Sequence, residues 1–148
     1  MEKFLRVVLI AFISILLTPV VARANAGANS GNTTGFNWGP VMEAIIQVES
    51  EGNRNARSGN SVGVMQITPI CVQECNRILK KRKSKKRYKL SDRFSISRSK
   101  EMFLLLQSFY NPLNNIEQAI RSWNGGMNYS VKQTQRYFEK VMKIMKAN

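Results

Sequence analysis

The feature that most narrows what this chain can fold into is the period of its apolar residues. They return at helical spacing in one segment after another, and no stretch of strand length alternates. The clearest segment runs from Val41 to Ser50. At about 100° per residue, Val41, Met42, Ala44, Ile45, Ile46 and Val48 occupy one arc, and Glu43 falls nearly opposite it. Glu49 lies only roughly 55° from the centre of the arc. Pro40 suits a first helical position, and Gly52 is a stop.

The same logic places the remaining elements. Thr68-Pro69 is an N-cap followed by a first-turn proline, opening a helix to about Leu79. Ser97 or Ser99 can cap a helix through Met102, Phe103, Leu106 and Phe109, which Asn111-Pro112 breaks. A shorter helix, about Asn115 to Trp123, stops at Gly125-Gly126. Ser130 with Gln133 forms a capping box for a last helix, in which Tyr137, Val141, Ile144 and Met145 follow the spacing of a buried face. Residues 53–67 are a Gly/Asn/Ser-rich connection ending in the apolar Val62 to Ile67, able to form short extended pieces or a packed loop. The expectation is a mainly α single domain of about five helices with little or no sheet.

Ahead of this domain, Lys3 and Arg6 precede an apolar run from Val7 to Val21. Small residues then sit at Ala22, Ala24 and Ala26, the pattern of a cleaved export signal over residues 1–24. The run is shorter than the ~20 residues of a membrane-spanning helix. Residues 25–39, rich in Asn, Gly, Ser and Thr, read as a flexible leader to a domain spanning 40–148. The address is therefore exported, periplasmic or secreted.

Charge narrows the partners. Lys3, Arg6 and Arg23 against Glu2 account for +2 of the net +14, so the residues after the signal keep +12. Such a surface seeks anionic surroundings. Lys80, Lys81, Arg82, Lys83, Lys85, Lys86, Arg87 and Lys89 place eight cations within ten positions. Two readings stay open: contact with an anionic wall or membrane surface, and a solvated, mobile loop of like charges. Export and the single stacking aromatic, Tyr88, argue against nucleic acid. Cys71 and Cys75 also carry two readings. An oxidising compartment favours a disulfide, whereas helical i,i+4 geometry holds the Cβ atoms about 5 to 6 Å apart, wider than a disulfide accepts, and favours two small core residues.

The chain contains no histidine. That removes Ser-His-Asp triads, Cys-His dyads and histidine-ligated zinc. The acids after the signal, Glu43, Glu49, Glu51, Glu74, Asp92, Glu101, Glu117 and Glu139, lack the spacing of a metal-binding loop. No cofactor or metal is expected, and carboxylate chemistry remains. Glu49 is the candidate: half-buried beside an apolar arc, near the exposed carbonyls of a helix end, it is driven toward its protonated form. A general acid at neutral pH needs that property.

Three separated segments then resemble one family. Val48-Glu49-Ser50, Gly63-Val64-Met65-Gln66-Ile67-Thr68-Pro69, and Ser122-Trp123-Asn124-Gly125-Gly126 with Thr134-Gln135-Arg136-Tyr137 and Val141 look like the soluble-type lytic transglycosylases, lysozyme-like cell-wall enzymes. The resemblance spans residues 41–145. It implies a lysozyme-like fold and peptidoglycan glycan strands as substrate. It also implies Glu49 as single acid/base at the β-1,4 bond between N-acetylmuramic acid and N-acetylglucosamine, with a 1,6-anhydro product. Ser50 would hydrogen-bond near the acid, and Gly63, Met65 and Gln66 would line the sugar groove. Trp123 stands where the family has Tyr, keeping a stacking face without the hydroxyl. Asn124 fits the family block, and Tyr137 can reach Glu49 from the last helix. Two other readings accompany this one. A lysozyme on the same fold would admit water and leave a reducing end. A wall-binding component of a secretion or conjugation apparatus would keep the groove without turnover.

Overall fold

The computed structural model describes residues 35–147. The export signal, residues 25–34 of the leader and Asn148 lie outside them. Five α-helices follow one another: α1 Gly39–Ser50, α2 Pro69–Lys81, α3 Ile96–Tyr110, α4 Ile116–Gly125 and α5 Val131–Ala147. The only sheet among the described residues is one two-stranded antiparallel ladder, β1 Arg57–Ser58 with β2 Ser61–Val62, in which Arg57 faces Val62 and Ser58 faces Ser61. A short 3-10 helix, Leu90–Phe94, precedes α3. The mainly α, lysozyme-like expectation holds.

The apolar arc of α1 is buried as its spacing requires, with Val41, Ala44 and Ile45 at most 1 % exposed. α1 packs on α4 and α5, and α2 packs on α3. Their side chains share one core with Met65, Ile67, Met102, Phe103, Ala119, Ile120 and Val141. Glu43 points outward and pairs with Lys100 of α3. α1 ends where Glu51 turns left-handed at φ 52° while donating its N–H to Gln47 O at 3.1 Å, and Gly52 follows at φ +82°. No helix of the described residues is long and apolar enough to cross a membrane.

The structure departs from the sequence pattern in three places. The leader expected over 25–39 does not stay loose to its end. Trp38 is buried, and a row of rings runs from Phe36 to Trp38 (centroids 4.7 Å), to Phe103 (5.7 Å), to Trp123 (5.3 Å). Polar composition hid the two aromatics that anchor the domain's entry. Secondly, α3 is capped by Ser95, not Ser97 or Ser99. The 3-10 helix ends at Phe94 and leaves Ser95 extended, so that its Oγ accepts from Arg98 N at 3.3 Å.

Thirdly, the basic segment is not a loose loop. α2 carries on to Lys81, and the residues after it are tied down. Ser84 N–H reaches Leu79 O at 3.0 Å, and Tyr88 is buried with its backbone held at both ends by the Asn76 amide, at 2.8 and 2.9 Å. Cys71 and Cys75 are free thiols on regular helix, and Cys75 is fully buried with its Sγ donating to Met102 O at 3.8 Å. Trp38→Ala empties a site between three elements and should cost about 3 to 5 kcal/mol, read from urea unfolding of the purified protein.

Candidate active site

Glu49 occupies the last turn of α1, half-buried, on the edge of the arc that the helix presents to the core. α5 brings Tyr137 to it across 88 residues of sequence, and the phenol donates to Glu49 Oε1 at 2.7 Å. Burial pushes the Glu49 carboxyl above its ordinary pKa, and the bond from Tyr137 offsets only part of that rise. Burial, then the neighbouring Glu49 charge, pushes the Tyr137 phenol up as well, so it remains a donor at neutral pH. The other described carboxylates sit differently. Glu43, Glu74, Glu101 and Glu117 are in ion pairs, Asp92 accepts the Lys89 N–H, Glu139 accepts from Gln135, and Glu51 is exposed. No group of three or more Cys, Asp or Glu among the described residues is placed to hold a metal ion.

The segment after β2 forms the floor beside the acid. Ser50 Oγ donates to Val64 O at 2.8 Å and to Ile46 O at 3.3 Å. Ser50 thus hydrogen-bonds beside the acid and ties this segment to the end of α1. Trp123 of α4 donates its indole N–H to Met65 O at 3.1 Å. The indole nitrogen therefore serves the same segment from the opposite side. Met65 is fully buried, so its side chain is core and its contribution to the site is that carbonyl. Gly63 is also buried, at φ +80°, and a Cβ there would stand 1.9 Å from Arg93 O. Its close approach is to the backbone behind the site, and no sugar is needed to explain it.

A cavity of about 350 Å³ opens beside this floor. Of the residues predicted for the site, Gln66, Trp123 and Asn124 line it, whereas Glu49, Ser50, Gly63, Met65 and Tyr137 do not. Gln66 takes a left-handed backbone, φ 50°, and its Nε2 donates to Gly63 O at 2.9 Å. Glu74 of α2, Gln107 and Tyr110 of α3, Asn111, and Gln118 of α4 also line the cavity, and none of these was assigned to the site from sequence. Asn111 is the linchpin there. Its amide donates to Gln107 Oε1 at 3.1 Å and to Asn115 O at 2.7 Å, and its Oδ1 accepts Asn115 N–H at 2.8 Å. Asn111 had been visible only as a helix breaker before Pro112, and an amide at the interior position of Gln107 was the available signal.

A further buried group braces the acid's partner. Arg121, 3 % exposed, donates to Glu117 and Gln135 (both 2.7 Å), to Val131 O (3.1 Å) and to Thr134 (3.2 Å), and lies over the Phe138 ring at 4.3 Å. These bonds fix α5 against α4 and so the height at which Tyr137 meets Glu49.

Two outcomes test this geometry. Gly63→Ala places a methyl group on the Arg93 carbonyl at a left-handed position. It should cost about 3 kcal/mol or more in urea unfolding. For Glu49, the folded pKa lies above the unfolded value near 4.5. Between the two, the native state binds more protons than the unfolded chain, so stability falls as pH rises through that window. Glu49→Gln should therefore unfold at a higher urea midpoint than the parent at about pH 7. That advantage should vanish below about pH 4, where both states of Glu49 are protonated.

Residues 31–145 match the family model described as Transglycosylase SLT domain. No curated protein and no solved structure matches the chain.

Proposed function

We propose, on the premise that this chain belongs to the transglycosylase SLT domain family, that it is a peptidoglycan lytic transglycosylase in which Glu49 is the single acid/base. Membership makes the enzyme a transglycosylase type with peptidoglycan as substrate. The observation that carries the finer reading is the state of Glu49. It is the described carboxylate raised in pKa by burial, held by a neutral donor, Tyr137, and free of any ion pair.

Tyr137 occupies Oε1, which leaves the proton to Oε2 in the neutral acid. That proton passes to the glycosidic oxygen as the bond from the anomeric carbon to this oxygen breaks and positive charge builds on the muramic ring. The carboxylate so formed takes the proton of the 6-hydroxyl, whose oxygen bonds the anomeric carbon and closes the 1,6-anhydro ring. Glu49 ends as it began, protonated. No second carboxylate enters the balance. Trp123 offers an indole face to a sugar ring at the cavity wall, and the amides of Gln66, Asn124 and Gln118 offer donors and acceptors to acetamido groups. The signal-like pattern of residues 1–24 supports action outside the cytoplasm.

Glu49→Gln should lower release of anhydro-muropeptides from purified sacculi by about two to four orders of magnitude, while the protein still pellets with them. Release by the variant at the parent rate would remove Glu49 from the mechanism. Parent protein that binds sacculi and releases nothing would be a wall-binding component. Products with reducing ends from the parent would make the enzyme a hydrolase.

A further inference from the structure

The cationic segment that follows the groove-lining half of α2 has no part in the chemistry above. All eight of its Lys and Arg side chains are exposed, and of them only Lys86 forms an ion pair among the described residues, with Glu101. Lys80, Lys83, Lys85 and Lys89 form no ion pair among the described residues. Like charges held this close repel one another, and a mobile loop would relieve that repulsion by spreading. This segment instead holds its place. Besides the Ser84 and Tyr88 anchors, Arg82 donates to Ser108 O and Oγ at 3.2 and 3.1 Å. Arg87 folds back onto the Ser84 and Lys86 carbonyls, both at 2.6 Å.

Exposed apolar side chains follow it in the chain. Leu90, directly after Lys89, is 51 % exposed, and Ile96 is 44 % exposed, so the two bracket the 3-10 helix that continues from the basic segment. A soluble polyanion has no use for exposed leucine and isoleucine. A lipid surface takes both components, cations at the headgroups and aliphatic side chains at the acyl boundary.

We propose that Lys80, Lys83, Lys85 and Lys89 with Leu90 and Ile96 form a docking surface for an anionic phospholipid bilayer. The groove is lined from the start of α2, by Ile70, Cys71 and Glu74, and the basic segment leaves its end. The segment then runs back along α2, where the Asn76 amide holds Tyr88. The surface does not depend on the catalytic reading, because the experiment reads binding and no glycan is present.

The test is co-sedimentation of the purified protein with vesicles of phosphatidylglycerol and phosphatidylethanolamine, set against phosphatidylcholine alone. The parent should bind the anionic vesicles and leave the neutral ones. Replacing Lys80, Lys83, Lys85 and Lys89 together by Gln should weaken binding at least about a hundredfold. The same number of exposed lysines changed on α5, Lys132, Lys140, Lys143 and Lys146 to Gln, should leave it within about threefold, because the α5 lysines lie outside the docking surface. Leu90→Ser with Ile96→Ser should weaken vesicle binding about tenfold and leave binding to soluble poly(glycerol phosphate) unchanged. Unaltered urea midpoints would show that all three variants fold. Equal losses from the two lysine sets would reduce the effect to net charge and overturn the proposal. Full vesicle binding by the Leu90 and Ile96 variant, matched by its binding to the polymer, would assign the surface to a wall polymer and overturn it as well.

Discussion

Two hydrogen bonds to neighbouring carbonyls hold the site together: Ser50 Oγ to Val64 O at 2.8 Å and Trp123 Nε1 to Met65 O at 3.1 Å. They join the end of α1, which carries the acid, to α4, which carries the cavity wall, through a segment that has almost no regular structure of its own. Such a segment has backbone polar groups to satisfy once it is buried. Side chains from the two flanking helices meet that need, and Gly63 lets the chain pass against Arg93 O where no Cβ fits. The position of the groove relative to the acid therefore depends on loop backbone gripped from both sides.

Around this clamp the charges divide by depth. The molecule is strongly cationic, yet the acid it buries is paired with no cation; its partner is a phenol. An arginine in place of Tyr137 would hold the carboxyl ionised and remove the neutral acid that the proposed reaction requires. The buried arginine of this region, Arg121, is instead directed at Glu117, Gln135 and two α5 oxygens. Positive charge does structural work between α4 and α5 without reaching Glu49, and the surplus is displayed on the basic segment beyond α2.

Much of the architecture was legible from spacing. Apolar residues at helical period, with Pro40, Thr68-Pro69, Asn115 and Ser130 as starts, located four of the five helix beginnings to within a residue, because caps and periodicity are local properties of the chain. The start of α3 was not so readable. Three serines in a row of alternate positions, Ser95, Ser97 and Ser99, are chemically equal as caps, and the 3-10 helix packed ahead of them selected the first. Composition misled where a few large residues outweighed many polar ones. Trp38 closes a polar stretch and is nonetheless buried, and Tyr88 pins a segment that its lysines made look loose.

Residue identity and order alone were enough to single out Glu49, since helix phase placed it beside the apolar arc and the absence of histidine left carboxylate chemistry as the available kind. They could also set Trp123, Gln66 and Asn124 within one motif-bearing surface. What tertiary packing decided was the meaning of the rest. Ser50, Gly63 and Met65 became the scaffold behind the floor, Tyr137 became the donor that holds the acid, and Asn111 with Gln107 and Gln118 became a wall. These assignments turn on which carbonyl a hydroxyl or an indole can reach across 14, 58 or 88 residues of chain. Distances of that kind arise only when helices pack, because nothing in local sequence encodes the separation between two elements until a shared core fixes it.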